Sequence, residues 1–179
     1  AEITLDTKAE RQPDRFEFSQ VIAMTPEARA NFRAQVVDRL KVHADEVSAL
    51  AAEVERLAVG DDRVLQELVD GVRVTASRVR FSHAAFKGAA DFADGEDVSA
   101  LLDALDAELT FSQDIVRARR GRYFHPRPLS LVAKTQPNAT LYQYGYLRET
   151  DTLCFWNRER AQLRNAVGGE TNAVPGCVL

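Results

Sequence analysis

Three of the chain's four tyrosines alternate within one short segment, a pattern typical of a binding surface. Tyr142, Tyr144 and Tyr146 would share one face of a β-strand, because successive side chains of a strand point to opposite faces. A row of tyrosines presents flat apolar area with hydroxyls at its edge, which suits recognition of a protein or ligand. We predict that these tyrosines bind a partner; a sheet face covered by helices is the alternative use of the same pattern.

A basic run, residues 117–127, precedes the tyrosines and carries five arginines in a protein whose net charge is −4. Guanidinium groups match the geometry of carboxylates and phosphates, so the run predicts an anion site or a docking patch for an acidic partner. The alternative is a helix C-terminus, where the helix dipole attracts cations. The predicted site residues here are Arg120, Arg122, Tyr123, His125 and Arg127.

A third candidate site is a polar layer inside a helical bundle. If consecutive helices fold back at Gly60 and near Ala93, then His43, Thr75 and Ser112 come level with one another. Buried polar groups need hydrogen-bond partners, so a self-satisfied network that fixes helix register is one interpretation. The other is a ligand or proton-handling pocket, because a histidine changes charge near neutral pH.

The sequence contains no complete catalytic, metal-binding or cofactor-binding signature. It has no Cys-x-x-Cys, His-Glu-x-x-His, Gly-x-Ser-x-Gly or Glu-x-x-His spacing. We therefore predict no metal and no cofactor. The enzymatic alternative is a hydrolase that pairs His43 or His125 with a neighbouring carboxylate.

Helices must position most of these residues. Thr25, Pro26 and Glu27 form a helix start, with an N-cap, a proline at the first position and an acid in the first turn. Apolar residues then recur at alternating steps of four and three, which predicts three helices between about 26 and 120. The predicted buried rows are Val36, Leu40, His43, Val47, Leu50, Val54 and Leu57, then Leu65, Leu68, Val72, Thr75, Val79, Ser82 and Phe86, then Val98, Leu102, Leu105, Leu109, Ser112 and Val116.

The two ends of the chain read as extended. Phe16 and Phe18 alternate like a strand, and residues 129–132 and 140–147 form a hairpin pattern after prolines at 126 and 128. The predicted fold is therefore α+β and mainly α: a three- or four-helix antiparallel bundle with a small antiparallel sheet. The single domain divides into an extended segment 1–25, the bundle 26–120, a turn and hairpin 121–150, and a C-terminal helix and tail 151–179. Residues 152–157 fit either a strand or a helix.

The composition limits the cellular compartment and the classes of partner that this protein can have. The 179 residues, 45% hydrophobic, suit one globular domain, and the acidic balance argues against nucleic acid. No run of apolar residues is long enough to insert into a membrane. A first residue of alanine fits a cleaved signal peptide, with simple removal of an initiator methionine as the alternative. In an oxidising compartment Cys154 and Cys177 are predicted to form a disulfide, and two unpaired thiols are the alternative.

Together these features predict an exported bacterial envelope protein, periplasmic or secreted, that binds a protein or small anionic ligand through the aromatic and basic surface. The alanine- and arginine-rich composition suggests the bacterial source. A hydrolase and a helical-bundle sensor of a small anion are the alternatives, and the oligomeric state stays open.

Overall fold

The computed structural model describes residues 17–58, 60, 62–123, 153–168 and 171–175, and every regular element in those ranges is a helix. In chain order the helices are α1 (Phe18–Ile22), α2 (Pro26–Phe32), α3 (Asp38–Leu57), α4 (Arg63–Ala93), α5 (Ser99–Tyr123) and α6 (Cys154–Gly168). A π-helical turn, Arg33–Val37, joins α2 to α3 and makes one continuous helical rod of the three segments.

The predicted helix start at Thr25 and Pro26 and the predicted turn at Gly60 are confirmed. The Thr25 hydroxyl accepts a hydrogen bond from the backbone N–H of Ala28 at 3.3 Å and so caps α2, with Pro26 at the first position. Gly60 and Gly95 have φ values of 100° and 82°, the left-handed region in which glycine is favoured, and they end α3 and α4. These turns allow α3, α4 and α5 to pack as sequential antiparallel neighbours.

The predicted α+β fold with a small sheet is wrong for the part of the chain that the structure describes. Phe18 begins α1, and a reciprocal cap between Glu17 and Gln20 closes its first turn. Phe18 and Val21, three residues apart, are both buried, which is helical rather than strand spacing. The alternation of two phenylalanines was too short a pattern to specify a strand. The predicted hairpin residues, 129–132 and 140–147, lie outside the described residues.

The C-terminal helix is confirmed and starts earlier than the sequence could define. α6 begins at Cys154, so the ambiguous residues from Cys154 onward are helical. Trp156 packs on Phe81 of α4 with ring centroids 5.1 Å apart, and Leu163 is fully buried. The strand-like residues at this point are therefore the apolar first turn of a helix that packs on α4.

The core lies around α4, and its position shows that the rows predicted on α3 and α4 are only partly buried. The buried positions are Val37 of the π-helical turn and Leu40, Ala44 and Ala51 of α3, whereas Leu50 and Leu57 are 54% and 59% exposed. On α4 the buried residues include Ala76 and Ala84, while Leu68 is 55% exposed. Small side chains shorten the distance between helix axes, so the alanines can form the α3–α4 contact while Leu50, Leu57 and Leu68 face outward.

The row predicted on α5 is correct. Val98, Leu105, Leu109, Ser112 and Val116 are all buried. Leu102, the remaining member, packs against the same core while half-buried. On this helix the alanine row Ala100, Ala104 and Ala107 is exposed, and the row of large apolar residues faces the core.

Candidate interaction surface

The predicted polar layer does not assemble. His43 lies on the outside of α3, its side chain is 55% exposed, and its Nδ1 atom is 3.9 Å from Oε2 of Glu46 on the same helix. Thr75 is also exposed, and its hydroxyl donates to the carbonyl of Gly71 at 2.9 Å. Only Ser112 is buried, so the three residues share no pocket. His43 and Thr75 lie on the exposed edges of their predicted rows, which explains the error.

Ser112 belongs to a different buried polar pair. Its hydroxyl donates to the hydroxyl of Ser77 at 2.8 Å, and Ser77 donates to the backbone carbonyl of Glu108 at 3.0 Å. Both serines are fully buried. The chain of two hydrogen bonds satisfies both donors and fixes α4 against α5. Ser77 was missed because it lies outside the apolar row chosen for α4.

Five charged side chains connect the α2 end of the rod to the end of α4. Arg29 donates to Asp94 at 2.5 and 2.8 Å, and Arg33 donates to Asp94 at 2.7 Å and to Asp91 at 2.5 Å. Lys87 adds a hydrogen bond to Asp91. Burial by itself would raise the pKa of Asp91, but the hydrogen bonds from Lys87 and Arg33 outweigh it and lower that pKa. The cations of this cluster already face carboxylates, which is the arrangement of an interhelical clamp.

Further ion pairs tie α6 and α5 to the bundle. Arg78 donates to both carboxylate oxygens of Glu159 at 2.6 and 2.9 Å, and its guanidinium stacks on Trp156 at 5.2 Å. On α5, the carboxylate of Asp106 accepts from both Arg160 and Arg164 of α6. These α6 arginines therefore form their ion pairs between helices. Each of these ion pairs joins two residues that are more than 50 positions apart in the chain.

In contrast to these paired charges, a set of large apolar side chains on α3 and α4 is exposed. It is here called the outer apolar face and consists of Val42, Leu50 and Leu57 on α3 and Leu68 on α4. All four are more than half exposed. Leu50 and Leu57 are separated by seven residues, so they lie on one side of α3. Since Arg73 of α4 approaches Glu55 at 3.9 Å, residues further toward the start of α4 lie level with the end of α3. Leu68 therefore lies near Leu57.

The outer apolar face is on the side of the α3–α4 pair turned away from α5. Arg80 of α4 donates to Ser48 of α3 at 2.9 Å and to Glu108 of α5 at 2.6 Å, which fixes the side of both helices that faces α5. Leu50 on α3 and Leu68 on α4 follow the other flank of their helices. Half-buried valines, including Val47 and Val54, lie between the alanine rows and this face.

At its other end the same face of α4 is covered by helices. Phe86 contacts Phe18 of α1 and Phe32 of α2, with ring centroids 5.5 and 5.9 Å apart. Phe18 and Phe32 are buried by this contact. This side of α4 thus begins as an aromatic helix–helix contact at Phe86 and continues through half-buried Val79 and Val72 to exposed Leu68. The exposed part near Leu68 is therefore apolar, like the part at Phe86 that α1 and α2 cover.

The other predicted site residues are not brought together in the described structure. Tyr142, Tyr144, Tyr146, His125 and Arg127 lie outside it. The backbone of Arg120, Arg122 and Tyr123 forms the last turn of α5, so the basic run begins at a helix C-terminus. Cys154 starts α6 and is not a free thiol, whereas Cys177 lies beyond the described ranges. The disulfide between them stays a prediction.

The described residues also bear on metal binding and on insertion into a membrane. Within the ranges described, no group of histidine, cysteine, aspartate and glutamate side chains is arranged to hold a metal ion. None of the helices described is both long and apolar enough to span a bilayer. The chain matches no protein-family profile, no curated protein and no solved structure.

Proposed function

We propose that this protein is an interaction protein of the bacterial envelope, and that it binds a protein partner through the outer apolar face. The observation that carries the proposal is the exposure of Leu50, Leu57 and Leu68 on one side of the α3–α4 pair. Isolated exposed leucines are common, but a contiguous set on adjacent helices marks an interaction site. Two helices with half-buried valines between such leucines form a groove suited to an apolar helix.

The hydrolase alternative has weaker support. One of its two candidate bases, His125, lies outside the described residues, and the other, His43, is exposed and lies 3.9 Å from the carboxylate of Glu46 on the same helix. This geometry is that of a surface ion pair. The small-anion sensor is likewise less favoured, because the charged cluster around Arg33 and Asp91 is matched internally. The aromatic and basic surface around Tyr144 and Arg122 remains a second proposed binding region, carried by its sequence pattern.

Site-specific photo-cross-linking tests the proposal. A photoreactive amino acid replaces Leu50 in the intact protein, produced in the cells that make it, and a matched control carries it at Asp103, an exposed position of α5. We expect a discrete cross-linked adduct from position 50 and none from position 103. Leu57→Glu and Leu68→Glu introduced together should remove the adduct, while the far-UV circular dichroism spectrum stays unchanged. Equal labelling from both positions, or none from position 50, would contradict the proposal.

A further inference from the structure

One side of α4 is covered by helices at one end and exposed at the other. Phe86 and Leu68 are 18 residues apart, which is about five helical turns, so they lie on the same side of α4. Phe18 of α1 and Phe32 of α2 pack on Phe86, whereas Leu68 is 55% exposed. Contact with α1 and α2 therefore covers only one end of this side, and the exposed end belongs to the outer apolar face.

The direction of α1 places its N-terminus at the end of this contact nearer to the outer apolar face. α1 begins level with Phe86. After α1, the carbonyl of Met24 accepts a hydrogen bond from Arg29 at 2.7 Å, and Arg29 also pairs with Asp94, just past the end of α4. The chain therefore runs toward the end of α4 as it passes through α1, and residues 1–16 join α1 at the opposite end.

Residues 1–16 lie outside the described residues, but their sequence separates acidic side chains from aliphatic and arginine side chains. All four acids have even numbers, whereas the two large aliphatic residues and both arginines have odd numbers; Lys8 and Phe16 depart from the pattern. Successive side chains of an extended segment point to opposite sides, so such a segment would present one aliphatic and basic side and one acidic side. The first set is Ile3, Leu5, Arg11 and Arg15, and the second is Glu2, Asp6, Glu10 and Asp14.

We propose that residues 1–16 bind the outer apolar face of their own chain and so compete with the protein partner for it. This inference rests on the proposed function, because it describes how the same face is regulated. The segment is long enough, since Leu5 lies 12 residues before Glu17 and can reach about 40 Å from it. The distance along α4 from Phe86 to Leu68 is only about 27 Å. The aliphatic side of the segment can therefore cover the exposed leucines.

Glu46 provides an ion-pair partner for the basic side of the segment. It precedes Leu50 by four residues, so both lie on one side of α3. Ser48, two residues after Glu46, bonds to Arg80 of α4 at 2.9 Å, so Glu46 is level with the part of α4 between the α1 contact and the exposed leucine. The Glu46 side chain is 70% exposed, and its contact with a neighbouring histidine is long, at 3.9 Å. Arg15, close to the start of α1, is placed along the chain to pair with it.

The neighbouring charges of α3 leave this pairing as the favoured one. Glu53, toward the end of α3, already accepts hydrogen bonds from Arg56 at 2.7 and 3.0 Å. Arg39 is exposed but precedes Glu46 by seven residues, about 10 Å along the helix. At that separation its repulsion of Arg15 is largely screened by physiological salt.

Attachment to α1 makes a weak contact effective. A linked binding segment has an effective concentration in the millimolar range, so a few aliphatic side chains and one exposed ion pair suffice to cover the face part of the time. A protein partner of higher affinity displaces the segment. Residues 1–16 thus set the concentration that the partner must exceed.

Photo-cross-linking within the purified full chain tests the contact. A diazirine analogue of leucine replaces Leu5, and the linked peptides are identified by mass spectrometry. We expect links to peptides that contain Leu57 or Leu68. The same analogue in place of Asp6, on the acidic side of the segment, is the matched control and should give few links to these peptides.

Charge changes test the pairing. Arg15→Glu should lower the yield of these links by about two- to fivefold, because it replaces an exposed ion pair by a repulsion, and adding Glu46→Arg should restore the yield. Lys8→Glu, an equal charge change at an even-numbered position, is the matched control and should leave the yield unchanged. In cells, Ile3→Asp together with Leu5→Asp should increase the partner adduct formed from position 50.

The outcomes separate this inference from the proposed function. Links from position 5 to other parts of the chain, equal links from positions 5 and 6, or links only between isotopically light and heavy copies overturn the intramolecular contact. If position 50 then still captures a different protein, the proposed function stands without this regulation. Intramolecular links without any partner adduct, even from the chain with Ile3→Asp and Leu5→Asp, support the contact and refute the proposed function. Absence of both links and adduct refutes both.

Discussion

Replacing a buried leucine of α5 and an exposed leucine of α3 by alanine tests whether the helix faces are assigned correctly. Leu105 is fully buried, whereas Leu50 is 54% exposed. Both lie inside helices, so Leu→Ala changes helix propensity by the same few tenths of a kcal/mol in each case. The difference between the two variants therefore measures burial alone.

The expected magnitudes follow from that burial. Leu105→Ala should lower the free energy of unfolding by about 3–5 kcal/mol, because it removes transfer energy and leaves a cavity. Full burial of a leucine side chain contributes about 1.5–3 kcal/mol, so Leu50, less than half buried, should lose about 1 kcal/mol or less. For a chain of this size 1 kcal/mol corresponds to about 2–4 °C in Tm. The Tm should thus fall by about 6–20 °C for Leu105→Ala and by no more than about 4 °C for Leu50→Ala.

A composition-matched exchange sharpens the test. The variant Leu50→Ala with Ala51→Leu moves the leucine by one position, from the outer face into the alanine row that contacts α4. Overpacking that row should cost about 1–3 kcal/mol. Urea denaturation, followed by circular dichroism at a protein concentration low enough to exclude association, gives the free energy and the m value. If Leu50→Ala costs as much as Leu105→Ala, or the exchange stabilises the protein, the assignment of the α3 faces is refuted.

Three further predictions concern the buried polar groups and the chain end. Asp91→Asn should reduce the free energy of unfolding near neutral pH. Because the pKa of Asp91 in the folded protein lies below its ordinary 3.8, the difference in stability between variant and wild type should shrink as the pH falls below that value. A difference in urea midpoints that does not depend on pH would contradict this. Ser77→Ala should cost about 1–3 kcal/mol because it removes the acceptor of a buried hydroxyl, and the double variant with Ser112→Ala should cost less than the sum of the singles; additive losses in a double-mutant cycle would argue against the pair. Cys154 and Cys177 should resist thiol labelling in the unfolded, unreduced protein, and two labelled thiols in the intact mass would exclude the disulfide.

Much of the local structure could be predicted from the sequence, because its causes lie within a few residues. The cap at Thr25 and Pro26, the turn at Gly60 and the buried row of α5 all follow from propensity and spacing. The N-terminal strand of the predicted sheet rested on alternation at Phe16 and Phe18, a pattern too short to outweigh the helical burial of Phe18 and Val21 against α4. Whether such a short alternating segment forms a strand depends on the surface against which its side chains pack.

The candidate site illustrates the opposite case. The sequence by itself determined that α3 and α4 each carry an apolar row at heptad spacing. Only the tertiary structure decided that the alanines Ala44 and Ala51 form the contact and that Leu50 and Leu57 face outward. The physical reason is that the phase of a helix about its axis depends on how closely its neighbour can approach. The ion pairs Arg33–Asp91 and Arg78–Glu159 follow the same logic, since their partners become neighbours only after the helices have packed.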